Sequence, residues 1–208
     1  MSFILGITGG IATGKSMVVS YLKELGFPVV DGDVIAREVV AKGSLALAQI
    51  QTVFGPEFIT AEGELDRTKL GQLIFKEPQQ RQALNALLDP FIRQQILAEI
   101  AMQQTNPLVV VDVPLMFETN YQQYMDQVAV VYLPEYLQIE RLMVRNQLTK
   151  EEAQQRIQAQ WPIERKKALA DLVFDNTQSR KHTKEQVHTW LVQQKFITGD
   201  GNAVKKKA

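Results

Sequence analysis

Residues 6–16 read GITGGIATGKS, directly behind the apolar run Phe3, Ile4, Leu5. Gly9, four intervening residues and then Gly14-Lys15-Ser16 satisfy the full phosphate-loop pattern. Glycines at that spacing let backbone N–H groups across Gly10, Ile11, Ala12, Thr13 and Gly14 converge on one anion, because no Cβ blocks the turn or the approach. A helix opening at about Lys15, with Ser16 and Met17 in its first turn, adds unpaired N–H groups and the positive end of its dipole. Lys15 can reach β- and γ-phosphate oxygens, and the Ser16 hydroxyl can ligate Mg²⁺. A glycine-rich turn with a chance lysine is the plainer reading. Against it, the pattern falls between a predicted strand and a predicted helix, where the mechanism needs it. Gly9, Gly10 and Gly14 are wrongly spaced for a GxGxxG dinucleotide site, in which Lys15 would have no task.

Outward from that loop, the chain reads as an α/β domain. Phe3 to Thr8 predicts a buried strand, Lys15 to Leu25 a helix and Phe27 to Val30 a second strand ending on VDGD, which makes one βαβ unit. Parallel strands with a right-handed crossover follow from that order. From Val34 to Gln104 the character is helical and glutamine-rich, with turns at Lys42-Gly43, Gly55-Pro56 and Glu62-Gly63. In LLDPFIRQQILAEI, Asp89 stands where an N-cap belongs and Pro90 where a first helical residue belongs. Leu108 to Asp112 (LVVVD) fits the middle of a parallel sheet, and Val128 to Leu133 gives a fourth strand. A helix from near Pro134 to about Asn146 follows, then a second opened by the capping-box pair Thr149 and Glu152 and running to about Gln160. Leu172 to Phe174 is a short fifth strand, and His182 to Gln194 a closing helix. Five strands, each followed by helical material, predict a doubly wound sheet.

Composition narrows the chemistry. The 208 residues suit one well-buried domain with a small insertion. Lys+Arg and Asp+Glu both number 23, so nothing favours a broad nucleic-acid surface. The absence of cysteine excludes thiolate metal sites and thiol nucleophiles, and two late histidines, His182 and His188, argue against a histidine metal centre or a serine triad. No apolar run approaches the roughly 20 residues of a membrane span, so the expected compartment is the cytoplasm. The tail from Gly199, with three lysines, reads as flexible.

A phosphate loop alone does not separate kinases from GTPases, motors and transporter ATPases. No NKxD-type guanine-reading segment is present, and Asn146 and Asn176 have the wrong neighbours for one. Carboxylates just past the predicted strands fit a small-metabolite kinase. Asp31 and Asp33 follow the second strand; one can take or orient a hydroxyl proton while the other orients the pair or holds water on Mg²⁺. Equally, they can be turn residues about Gly32, with Asp33 capping a helix at Val34. Asp112 at the end of the third strand is a candidate outer contact to the metal, or a turn residue before Pro114. Arg141 and Arg145 share a helix face and suit a lid closing over phosphates, or a solvated face pairing with glutamates such as Glu140. Arg93 meets an acceptor phosphate or lies on ordinary surface. Phe117 and Trp161 read as core before base-stacking, and the two histidines as structural or solvated. A nucleotide-gated binding protein stays open as the non-enzymatic alternative, and another small-molecule kinase as the enzymatic one.

Taken together, GITGGIATGKS, VVDGDVIAREVV (29–40), LLDPFIR (87–93), VVVDVPLMFE (109–118), RLMVRNQLTKEEAQQRIQAQWP (141–162) and ADLVFDN (170–176) resemble the dephospho-coenzyme A kinase family. The resemblance implies a P-loop nucleoside triphosphate hydrolase fold with a nucleotide-monophosphate-kinase-like core. Its five-stranded parallel sheet is flanked by helices. The core falls at about 1–32, 106–133 and 163–198, with a helical acceptor-binding insertion at about 33–105 and a helical lid at about 134–162. It further implies transfer of the ATP γ-phosphate to the ribose 3'-hydroxyl of dephospho-coenzyme A with Mg²⁺. The chain is expected to work as a monomer on small molecules, without nucleic acid or membrane. By the same resemblance Asp33 matches the proposed base with Asp31 beside it, Lys15 and Ser16 the phosphate and Mg²⁺ positions, Arg141 and Arg145 the lid arginines, and Asn176 the segment near the ATP base. Arg93 and Asp31 are carried as acceptor-side residues with Asp33. Four positions depart from the pattern: Gly32 for the usual Ala, Ala12-Thr13 for Gly-Ser, Asp89 for a histidine, and Thr177 for a glycine.

Overall fold

The computed structural model describes residues 2–198; the tail expected to be flexible, 199–208, lies outside the described residues. Five strands form one sheet: β1 (Phe3–Gly9), β2 (Val29–Asp31), β3 (Leu108–Asp112), β4 (Gln127–Tyr132) and β5 (Leu172–Asp175). Their order is β2-β3-β1-β4-β5, and β1–β3, β1–β4 and β4–β5 all pair parallel. β3 is buried at every residue, as an unbroken aliphatic strand must be when both faces of a parallel sheet are covered. Strand order reverses at β1, so the loop leaving its carboxyl end opens where such sheets bind ligands. The second strand starts at Val29 rather than Phe27. Phe27 is still closing the preceding helix, α1 (Lys15–Glu24), through its N–H to the Leu22 carbonyl, with its ring buried in the core.

The chain divides into two compact units, one from the N-terminus to Val30 and from Met102 onward, the other Asp31–Ala101. In the first, Leu5, Ile7, Val110 and Val131 of the sheet pack with Val18 and Leu22 of α1 and with Trp190 and Leu191 of α9 (Arg180–Gln193). Each such aliphatic or aromatic side chain, fully buried, contributes about 1.5–3 kcal/mol. α6 (Glu135–Asn146) turns at Gln147, left-handed at φ 53°, into α7 (Lys150–Gln158). The capping box is formed in full: Glu152 N–H donates to Thr149 Oγ1 (3.2 Å) and Thr149 N–H to Glu152 Oε2 (2.8 Å). α8 (Ile163–Leu169), a helix absent from the sequence reading, fills the connection into β5.

The second unit holds α2 (Gly32–Glu38), α3 (Leu45–Phe54), α4 (Arg67–Lys76) and most of α5 (Pro78–Met102). Ser44 and Asp66 cap α3 and α4, accepting from Leu47 N–H (3.1 Å) and Lys69 N–H (2.9 Å). Its core is Val40, Ala46, Ile50, Phe58, Leu70 and Leu84, with Leu87, Leu88 and Phe91 against it. Here one expectation fails. Asp89 and Pro90 do not start a helix; both lie inside α5, which runs unbroken for 25 residues. An internal proline costs about 3 kcal/mol. The cost is outweighed because apolar residues on both sides of it, Leu84, Leu87, Leu88 and Phe91, bury in one cluster only if the helix continues. Among the described residues no helix is long and apolar enough to cross a membrane.

Candidate active site

The loop after β1 is closed on itself by Thr13, fully buried, whose N–H (3.3 Å) and Oγ1 (2.9 Å) both donate to the Gly10 carbonyl. Gly10 must lack a side chain: a Cβ there would stand 2.6 Å from Oε1 of the buried Gln138. Gly14, at φ +94°, is the N-cap of α1, and no side chain caps that helix end. Unmet N–H groups and a positive dipole end therefore face the loop opening. Ala12, where the family pattern has glycine, nonetheless adopts φ +62°. A left-handed non-glycine residue costs about 1–2 kcal/mol. Ala12 and Ile11 recover part of it by packing on the cluster of Ile139, Leu142, Ala153 and Ile157 in α6 and α7. The Ile11 N–H donates to Gln160 Oε1 at 3.0 Å, tying the loop to the end of the same helix pair.

Three side chains brace this loop from its own unit. Asn176, 3 % exposed, donates from Nδ2 to the Thr13 carbonyl (2.7 Å) and accepts at Oδ1 from Thr183 Oγ1 (2.9 Å). Arg141 donates to the Asn176 carbonyl (3.0 Å) and to the Ala12 carbonyl (3.5 Å). Lys166 on α8 is fully buried and donates to the carbonyls of Pro114 (2.9 Å) and Gly9 (3.4 Å), with Glu118 Oε1 at 2.8 Å. Burial holds the Lys166 ammonium below the ordinary lysine value, against the raising effect of its hydrogen bond and charge pairing with Glu118. Neither Lys166 nor Glu118 was among the residues singled out from sequence. The Lys-Lys pair in an amphiphilic segment reads as surface, and the only available signal was the acid ending VVVDVPLMFE.

Lys15 forms an ion pair with Asp112, which is 6 % exposed at the end of β3. Asp112 is thus the partner of the phosphate-loop lysine, beyond the turn and metal-contact readings of its position. Ser16 is exposed and its hydroxyl makes no hydrogen bond among the described residues. A hydroxyl left free in the first turn of α1 is one oxygen donor of the kind Mg²⁺ takes beside phosphates and water. Among the described residues no group of three or more His, Cys, Asp or Glu gathers to hold a metal ion. Arg145 is exposed, donating only to Asn146 Oδ1 (2.9 Å), so the two arginines of α6 differ: Arg141 lies against the loop and Arg145 does not. Phe117 is core, as expected. Trp161 is only half-buried, with the Arg165 guanidinium 3.4 Å above its ring and its backbone N–H donating to Glu118 Oε1 at 3.0 Å.

In the other unit, Asp31 is the N-cap of α2, accepting at Oδ1 from the N–H groups of Asp33 (3.0 Å) and Val34 (3.2 Å). This corrects the reading of Asp33 as the cap. The helix opens at Gly32, two residues earlier, and the carboxylate of Asp33 is left exposed in its first turn. Arg93 pairs with Asp89 one helical turn back, Nη2 to Oδ2 at 2.8 Å and Nε to Oδ2 at 3.1 Å.

A parallel sheet with its lysine-bearing glycine loop at the strand-order reversal, followed by paired carboxylates, defines a P-loop phosphotransferase of the small-molecule kinase type. Comparison with known proteins narrows this. The dephospho-CoA kinase family model matches residues 3–182. The chain is 60% identical to the dephospho-CoA kinase of Enterococcus faecalis over 195 residues, covering 93% of this chain and 98% of that one. It superposes on a solved structure from Thermus thermophilus with TM-score 0.76 at 32% identity, covering 92% and 97% of the two chains. With dephospho-CoA kinase from Campylobacter jejuni the TM-score is 0.71 at 29% identity, covering 94% and 100%. The chain belongs to the dephospho-CoA kinase family.

Proposed function

We propose that this chain phosphorylates the ribose 3'-hydroxyl of dephospho-CoA from ATP, giving CoA and ADP, with its residues in the following roles. The nucleotide lies on the Gly10–Met17 segment, with backbone N–H groups and Lys15 on the β- and γ-phosphates. Asp33 takes the proton of the acceptor hydroxyl as its oxygen bonds to the γ-phosphorus. The bond from that phosphorus to the β–γ bridging oxygen breaks, and ADP leaves with the electron pair. Lys15, Arg141 and Arg145 stabilise charge on the transferring group. Ser16, with Asp112 and Asp31 through water, would hold Mg²⁺, which when bound neutralises phosphate charge. Asp31 and Arg93 belong to the acceptor side, and helices α6 and α7 act as the lid that excludes water.

One observation carries the reading most: an uncapped α1 opening on Gly14-Lys15-Ser16, with Lys15 held on the buried Asp112. It supports a site built for polyphosphate, which a chance glycine turn would not need. Asn176 contributes through its bracing of Thr13: its buried side-chain amide is turned to Thr13 and Thr183, and the backbone beside it is the segment that meets the adenine. The test is mass detection of the 3'-phosphorylated product after incubation with ATP, Mg²⁺ and dephospho-CoA, beside a panel of nucleosides and nucleotides. Dephospho-CoA is expected to give the highest kcat/KM. ATP binding without transfer to any acceptor would refute the assignment.

A further inference from the structure

Lys166 has no task in the chemistry just described, yet it is a cation with no exposed surface, set among groups that shape the phosphate loop. All three of its ammonium protons are accounted for: Glu118 Oε1 (2.8 Å), the Pro114 carbonyl (2.9 Å) and the Gly9 carbonyl (3.4 Å). Gly9 is the first residue of the phosphate-loop pattern. Pro114 lies two residues past Asp112, the partner of Lys15. The Pro114 carbonyl also accepts from Thr8 Oγ1 at 2.9 Å, so one oxygen joins the end of β1 to the loop after β3. Glu118 Oε1 in turn accepts from the Trp161 N–H, next to the Gln160 that holds Ile11. The Lys15 charge acts on Lys166, lowering its proton affinity, which places both cations in one field.

We propose that Lys166 is a positioning residue for ATP: its buried ammonium, neutralised by Glu118, clasps the Gly9 and Pro114 carbonyls and sets the phosphate loop and the Asp112 loop in register. The physical case is one of magnitude. Burying a lysine costs several kcal/mol unless it is paired and fully hydrogen-bonded, and a buried ion pair is often no more stabilising than apolar residues of the same volume. Stability alone therefore gives little reason for a cation here. A register set to within about 0.5 Å gives one, since preorganised phosphate-binding groups lose much of their effect when misplaced. The inference rests on the reading of the first loop as the triphosphate cradle.

The test compares the parent enzyme with Lys166→Met/Glu118→Gln, which neutralises the pair without leaving a lone buried charge. Melting temperature, kcat, and KM for ATP and for dephospho-CoA are measured on each. The expected result is a folded variant whose kcat/KM for ATP falls on the order of 10²-fold, mainly through KM, with KM for dephospho-CoA within about twofold of the parent. A folded variant with parental KM for ATP overturns the inference. So does one whose kcat alone falls, which marks a purely structural pair. If the double variant does not fold, Thr8→Val decides: it removes the second donor to the Pro114 carbonyl at nearly constant volume. A severalfold rise in KM for ATP at unchanged acceptor KM supports the clasp, and a lowered melting temperature with both KM values unmoved overturns it. Failure of the parent itself to bind ATP would instead bring down the cradle reading, and the inference with it.

Discussion

Gly14→Ala tests the bracing of the phosphate loop by a number. At φ +94° an alanine strains the backbone by about 1–3 kcal/mol. Its Cβ would also overlap Nδ2 of Asn176 and lie 3.3 Å from Cγ, so the amide must move. Moving it breaks the bonds to the Thr13 carbonyl (2.7 Å) and from Thr183 Oγ1 (2.9 Å), at about 1 kcal/mol each. Together the loss is roughly 3–5 kcal/mol, a large share of an ordinary domain's stability. Asn176→Ala alone, which strands the same two buried partners, is expected to cost about 2–3 kcal/mol.

The diagnostic is the double variant. Once Asn176 is truncated there is no amide to displace, so adding Gly14→Ala costs only the backbone strain. The combined loss should then fall short of the sum of the singles by about 2 kcal/mol. Urea unfolding of nucleotide-free protein, compared at equal slopes, measures each corner of the cycle. Additivity within about 0.5 kcal/mol would refute the claim that Asn176 holds the loop against Gly14.

Asp33→Asn should lower kcat by 10²- to 10⁴-fold with ATP affinity nearly unchanged, and near-parental turnover would remove Asp33 from its role. Lys15→Ala should cost about 3 kcal/mol of transition-state stabilisation. Because it removes the ion-pair partner of the buried Asp112, it should also lower the melting temperature, and Lys15→Ala/Asp112→Asn should restore stability without activity. Tyr132 gives a pH prediction. Its hydroxyl donates to Glu164 Oε1 at 2.6 Å, and that bond, followed by desolvation and the Glu164 charge, pushes the phenol up to about 12. A proton held more tightly folded than unfolded adds stability that is whole below about pH 10 and lost as pH rises through about 12. Absorbance titration of the protein against Tyr132→Phe should show one late phenolate, and Glu164→Gln should draw it back toward 10; no change in that variant would contradict the cause.

Legibility in the sequence followed locality. The phosphate loop, the aliphatic β3 and the Thr149–Glu152 box are each specified by neighbours in the chain, and each was readable. Asp89-Pro90 misled because a cap-and-proline rule is local, whereas the apolar face that carries α5 through it is assembled with α3 and α4. At VDGD, either acid satisfies the capping preference. The choice of Asp31 depends on β2 ending there, which hydrogen bonding to a distant strand decides. In IERKKAL the charges outnumber the apolar residues, so no local pattern marks a buried cation there. Lys166 is buried only because Glu118 and the Gly9 and Pro114 carbonyls, remote in sequence, arrive around it.

The bracing of the loop bears on how a lid can work. Ala12, a non-glycine residue at φ +62°, holds a conformation that persists only where surroundings over-determine it. Those surroundings come from α6, α7, α8 and the turn after β5, all within the unit that carries the loop. Binding ATP then need not order the loop, which saves the entropy a mobile cradle would cost. It also limits the lid proposed for α6 and α7. Ile139 and Leu142 pack with Ile11 and Ala12, so the start of α6 cannot swing away without unmaking the cradle. Leu148, Ala153 and Ile157 hold the rest of the pair to the same cluster, and Gln160 to Ile11, while Arg145 itself stays exposed. Closure is therefore expected to bring Arg145 in through the reach of its own exposed side chain, leaving the phosphate-binding N–H groups in place throughout.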